Sequence, residues 1–233
     1  MTLRPMEIRS KSFARIAGAL YLLIAIFGAF SIGYVPSVII DWTDAALTAS
    51  NLMENLSLYK MGIFGDIVVL WLEVFLTAML YVMLRPISAT LSMIAALSRM
   101  GMVIVMAVNL LLNIMPIVVL QESPEAADTV MMFLEVHQMG VYIWQLFFAI
   151  HLLALGYMVA KSGLFPKTLG WAMFIGAFGY LIQALYWLTF TESAVISSIY
   201  IGLLVLVTIG ELAFAFWLVI MGLNQKRWQA LTK

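Results

Sequence analysis

The chain has 233 residues, of which 64% are apolar and only 10% charged, against roughly half and a quarter in an ordinary soluble domain. Twelve Lys and Arg balance twelve Asp and Glu, which argues against a nucleic-acid partner or a basic protein held on a membrane surface. There is no cysteine, so disulfides, thiolate zinc sites, iron-sulfur ligation, thiol nucleophiles and lipoprotein acylation are excluded together.

The basic start, with Arg4, Arg9, Lys11 and Arg15, resembles that of a signal peptide. The apolar run behind it is too long for one and reads as an uncleaved first span, about Phe13 to Val35, stopped by Pro36. A long connection follows, in which Thr43 or Asp44 caps a short helix running to about Asn55. That helix either lies in the outer interface or covers an outward-facing cavity. The later spans fall at about Tyr59 to Leu84, Ala89 to Leu120, Thr129 to Val159, Leu169 to Phe190 and Ala194 to Leu223. Their breaks carry turn chemistry at Arg85 and Pro86, at Pro124, and at Gly163 and Pro166. The expected fold is an all-α integral membrane protein, residues 1–233 forming one domain, a six-transmembrane-helix bundle with a short interfacial helix in the first outer loop.

Orientation follows from the basic residues. With the N-terminus inside, Arg4, Arg9, Lys11, Arg15, Arg85, Lys161, Lys167, Lys226, Arg227 and Lys233 all fall on the cytoplasmic side, and Lys60 alone falls outside. Both termini are therefore expected in the cytoplasm, the chain being placed in a bacterial inner (plasma) membrane. Ala25, Ala29 and Gly33, and Ala172, Gly176 and Gly179, predict close helix packing. The stretch IAGALYLLIA from Ile16 resembles IGAFGYLIQA from Ile175, a faint internal similarity in which Glu73 and Glu211 would be counterparts.

Ionisable groups inside a span cost about 2.5 to 3.5 kcal/mol each on insertion scales, so they are expected to face a partner in the protein interior. At about 1.5 Å of rise per residue, two layers emerge. Glu73, Arg99, His151 and Glu211 lie near the midplane, and Asp66, Asn113, Glu135 and Gln183 lie nearer the outer surface, with His137 and Gln138 just below them. On the fourth span Glu135, Gln138, Tyr142 and Gln145 form one stripe and His137, Trp144 and His151 nearly the opposite one, so this helix is expected at the centre of the bundle. Arg99 is expected to pair with Glu73 or Glu211. One arginine cannot neutralise four carboxyls, so at least two must be protonated, hydrated or matched to a bound cation.

The two histidines, His137 and His151, lie about 21 Å apart along the axis and cannot share a site. Haem ligation would need a partner molecule or a methionine, since no third histidine exists. No convergent metal-ligand spacing, hydrolase motif, phosphate loop or dinucleotide fingerprint is present. The seventeen methionines read as packing rather than a cofactor box.

ARIAGALYLL, GIFGDIVVL around Asp66, AALSRMG with Arg99, FLEVHQMGVYI with His137, and FFAIHLLALGYMVAKSGLFPKTLGWAM with His151 resemble an uncharacterised bacterial family of small six-span membrane proteins, the domain of unknown function forty-three eighty-six. The resemblance implies the same topology and carries no activity. From the residues, the expected function is binding or translocation of a small solute or ion through a polar intramembrane cavity, linked to protons. Arg99 would be the fixed charge, Glu73 or Glu211 the titrating group, His151 a relay, and Asp66, Glu135 and His137 the outer entrance. No cofactor and no catalytic residue are assigned; the lipid bilayer is the expected partner, and oligomerisation is left open. A haem or other cofactor protein, an intramembrane enzyme acting on lipid, and a regulatory or structural subunit are the alternatives.

Overall fold

The computed structural model describes residues 11–189 and 192–231, and among them every regular element is helical. Six helices are long and apolar enough to cross a membrane: Lys11–Ile39, Leu56–Leu84, Ala89–Glu122, Ala127–Ser162, Lys167–Leu188 and Ala194–Ile220, hereafter spans 1 to 6. Each packs on the next in the chain, and span 6 closes on span 1. Span 4 is the most buried of the six, in line with its two polar stripes. An even number of crossings brings Lys11 and Leu231 to one side, here called the termini side.

Pro36 does not end span 1, as the sequence reading expected. The helix loosens into a π turn at Ala29–Tyr34 and resumes as α-helix through Ile39, with Pro36 in the first turn of the resumed segment. A proline lacks the N–H that a helix interior requires, and the first turn is where that donor is not needed. The π turn also redirects the small-residue stripe. Ala29 and Gly33 are exposed, and Gly33 has nothing within 4 Å of where a Cβ would stand, so the expected packing face is not one. Instead Ser31 and Val35 sit against Gly65 and Gly62 of span 2.

The second stripe does pack. A Cβ on Gly176 would lie 2.6 Å from the Val207 backbone nitrogen and one on Gly179 2.8 Å from the Leu204 nitrogen. Without a hydrophobic drive between helices in lipid, such close backbone approach and its dispersion contacts are what hold spans together.

The helix in the first long loop forms at Ala45–Glu54, with the Asp44 carboxylate accepting from the Leu47 amide at 2.9 Å. It buries Thr48, Ala49 and Leu52 against Val35, Ile39, Tyr59, Leu120 and Leu134, covering the ends of spans 1 to 4 opposite the termini side. The termini half is filled by packed apolar residues, among them Phe13, Leu84, Met158, Phe165, Phe214 and Leu218. Span 6 stops at Ile220, short of the expected Leu223, and Gly222, at φ 70°, turns the chain. A final helix, Gln225–Leu231, then lays Trp228 across the bundle end, its indole N–H donating to the Met83 carbonyl at 3.3 Å. The expected end of span 5 at Phe190 lies outside the described residues.

Candidate functional site

At mid-depth, Arg99 of span 3 is fully buried, 0% exposed, and its guanidinium is met from both neighbouring spans. The Glu73 carboxylate of span 2 accepts from Nε and, at 3.1 Å, from Nη2, a two-pronged ion pair. His151 of span 4 takes Nη1 at 2.9 Å on its Nε2, while its Nδ1 donates to the Ala95 carbonyl at 2.8 Å. That second bond puts the ring proton on Nδ1 and leaves Nε2 as acceptor, the neutral tautomer. Both ring nitrogens of His151 are thus engaged. The guanidinium carbon lies 5.1 Å from the Tyr21 ring centre and 5.5 Å from that of Phe148, an aromatic sandwich.

Glu211 of span 6 receives no share of this arginine's three bonds. Its Oε1 accepts from the Tyr21 hydroxyl of span 1. The sequence reading allowed Arg99 either acid; the structure gives it Glu73. All of Tyr21, Glu73, Arg99 and Glu211 line one cavity of about 200 Å³, whose walls include Met102, Met106, Trp144, Phe148 and Tyr180. Among the described residues no lysine and no second arginine lines it. His151 stands behind it, its ring stacked on Phe148 with centres 5.7 Å apart. The four midplane residues singled out from sequence therefore converge, three in one hydrogen-bonded row and the fourth across the cavity.

The outer layer is resolved differently. Asp66 receives Asn113 Nδ2 at 3.5 Å on Oδ2, and the Ser31 hydroxyl stands beside the same carboxyl. Tyr59 donates to Asn113 Oδ1 at 2.7 Å. His137 and Asn109 lock spans 4 and 3 reciprocally: Nδ1 of the histidine meets the Asn109 carbonyl at 3.1 Å, and Asn109 Nδ2 donates to the His137 carbonyl at 2.9 Å. Asp66, Asn113, His137 and Gln138 share a cavity of about 60 Å³ with Ser31 of the π turn, whose hydroxyl is buried.

Two expectations for this layer are corrected. Glu135 is exposed on the bundle surface; helical periodicity puts it in line with Gln138 and Tyr142, but at this depth the neighbouring elements cover the face carrying Val130 and Leu134 instead. Gln183 is part-buried on span 5 and lines none of the cavities described here, because its span borders the ring on the side away from spans 2 and 3.

A third hollow of about 30 Å³ links the two layers by shared walls. It has Ile32, Met106 and Trp144 in common with the midplane cavity, and Ile32, Asp66, His137 and Val141 in common with the outer one. The outer cavity reaches Ile40 and Trp42 beyond the end of span 1. Hollows with a few polar groups in largely apolar walls thus succeed one another from the side opposite the termini to the midplane, where the packed apolar core begins. Sequence reasoning did not single out Tyr21 and Tyr180. They occupy matching places in the two similar stretches from Ile16 and Ile175, and both face the midplane cavity.

Such an architecture, six long apolar helices closed around a core that buries a few polar groups, defines a multi-pass helical membrane protein. The chain belongs to the family described as domain of unknown function (DUF4386), whose model matches residues 16–222. It is also similar to an uncharacterized protein of Archaeoglobus fulgidus, 34% identical over 168 residues, which cover 72% of this chain and 88% of the relative. No solved structure matches.

Proposed function

We propose that the chain lies in the inner (plasma) membrane of a bacterial cell with both termini in the cytoplasm, and that its midplane cavity binds a small solute and carries it in exchange with protons. Among the described residues, Lys11, Arg15, Arg85, Lys161, Lys167, Lys226 and Arg227 cluster on the termini side, and Asp41, Asp44, Glu54, Glu122, Glu125, Asp128 and Glu192 on the other, the asymmetry expected of a cytoplasmic termini side. The chain lacks cysteine, so single substitutions report the orientation directly. Ser50→Cys reacts with a membrane-impermeant maleimide in intact cells, and Lys226→Cys reacts only after permeabilisation. The reverse pattern overturns the assignment.

One observation carries the functional reading. Glu73 takes the cavity's arginine, and Glu211 is left facing the same hollow with a phenol as its partner. A carboxyl so placed in low dielectric is neutralised by a proton or by an arriving cation. Asp66 and His137, on the succession of hollows toward the outer side, supply the intermediate acceptors for that proton. Infrared difference spectroscopy of the reconstituted protein tests this. A carboxylic-acid C=O band that rises and falls with the pH of the medium is expected, and Glu211→Gln removes the component of it that belongs to this buried acid. A pH-dependent band identical in the wild type and in Glu211→Gln refutes the reading.

A further inference from the structure

The wall between spans 1 and 6 is closed on the termini side and open on the other. At Gly18 an added Cβ would lie 2.7 Å from the Val219 nitrogen and 2.8 Å from the Ala215 carbonyl of span 6, whereas at Gly28, further along the same helix, nothing stands within 4 Å. The π turn accounts for the divergence, because it leans span 1 onto Gly62 and Gly65 of span 2. The cleft so formed runs between Ala25, Gly28 and Ile32 on one side and Thr208 and Leu212 on the other, and it opens into the 200 Å³ cavity. Ile32, Thr208 and Leu212 are exposed, yet they belong to spans long and apolar enough to cross a membrane. Their surroundings at that depth are hydrocarbon.

What the cleft leads to narrows the occupant. Two carboxyls, Glu73 and Glu211, face one guanidinium, and the rings of Tyr21, Trp144, Phe148 and Tyr180 form the walls. An anionic head group would meet the surplus acid, and an alcohol would leave it unmatched. A cation balances it and gains from the aromatic faces. The volume is smaller than the roughly 300–1,000 Å³ of pockets for drug-sized ligands, which favours a slender body over a fused ring system.

We propose that this cleft admits an amphiphilic cation, an apolar chain ending in an ammonium group, from the membrane hydrocarbon, with Glu211 as its counter-ion. The proposal rests on the reading of Glu211 as an exchangeable acid. The arriving ammonium takes the place of the Glu211 proton, one positive charge for another, and the released proton leaves toward Asp66 and the outer side.

Equilibrium binding of radiolabelled decylamine at neutral pH to the protein in nanodiscs, with empty nanodiscs subtracted, tests it against decanol and decanoate. Saturable binding of decylamine alone is expected. Binding weakens at least tenfold in Gly28→Phe, which fills the mouth from a position with open space, and at least tenfold in Glu211→Gln, both variants eluting as the wild type does. Decanol or decanoate binding as tightly as decylamine, and blocked by Gly28→Phe, overturns the ammonium class and leaves the solute reading standing. Decylamine binding that ignores both variants overturns the cleft and the counter-ion together. Loss of that acid's component of the infrared band in Glu211→Gln judges the underlying acid reading separately.

Discussion

Replacing Arg99 with leucine asks the most of the midplane. The guanidinium is 0% exposed and Glu73 3%, so Arg99→Leu leaves a carboxylate facing the bare Nε2 of His151 in a site that no lysine or second arginine lines among the described residues. Removing one partner of a buried ion pair costs about 3–5 kcal/mol, and an orphaned buried acceptor adds about 1–3 kcal/mol. Together these amount to about 4–8 kcal/mol, a large share of the 5–15 kcal/mol that separates a typical folded domain from its unfolded state. The double variant Glu73→Leu with Arg99→Leu removes the stranded charge as well and regains about 3 kcal/mol or more, since an apolar pair of similar volume is often no worse than the ion pair it replaces. Steric-trap unfolding in bicelles gives the free energies directly. An Arg99→Leu variant within about 1 kcal/mol of wild type, or a double variant no more stable than the single one, would refute the assignment of the Glu73 carboxylate as the arginine's principal partner.

Further tests separate the packed seams from the open one. Gly170→Ala places a Cβ 2.2 Å from the Ala160 nitrogen and 2.5 Å from the Gly156 carbonyl, backbone that cannot yield, so thermal unfolding in detergent should show a loss of about 1–3 kcal/mol or more. Gly28→Ala, with open space at its Cβ, should instead gain up to about 1 kcal/mol from helix propensity. Asp44→Ala removes the cap on the Leu47 amide and should weaken the outer helix by about 0.5–2 kcal/mol, read as faster hydrogen exchange at Leu47 while the spans are unchanged. Asp41, whose carboxylate accepts from the Thr43 hydroxyl and amide, is held below the usual aspartate range by those bonds, the hydroxyl's first. A depressed folded value means that the turn's stabilisation is present above the ordinary aspartate pKa and is lost as pH falls through the lower one. The Thr43 amide resonance should follow that titration, and Asp41→Asn should abolish it.

The spans were legible because nothing but a membrane helix explains runs of that length with so few charges. The interior was half legible. Depth along a helix can be counted, so Glu73, Arg99, His151 and Glu211 were found together. Azimuth is harder: periodicity shows that Glu135 shares a stripe with Gln138, but whether a neighbouring helix still covers that stripe at that depth depends on tilt and length. The π turn carries no mark in the letters AFSIGY, and a proline after it looks like a stop. Tyr21 escaped notice because a tyrosine in an apolar run is ordinarily packing material; only its matching place with Tyr180 set it apart. The helix at Gln225–Leu231 is too short for its pattern to stand out.

The two halves of the bundle are built on different principles, and that difference bears on any transport. Toward the side opposite the termini, buried polar groups, Ser31 and Asp66 among them, stand beside small hollows. Toward the termini, Phe13, Phe165 and Phe214 interlock, with Phe165 and Phe214 edge to face at 5.2 Å; a hollow of about 550 Å³ lined by Lys11, Phe165 and Trp217 lies only at the bundle end. Passage to the termini side therefore requires this plug to part. The seam between spans 4 and 5 at Gly156 and Gly170 and that between spans 5 and 6 at Gly176 and Gly179 bring backbone against backbone, so spans 4 to 6 are packed as one block. Span 1 touches span 6 that closely at Gly18, on the termini side, and parts from it at Gly28. A rocking of span 1 about that contact would draw Tyr21 from Glu211 and so tie the state of that acid to which half of the bundle is open.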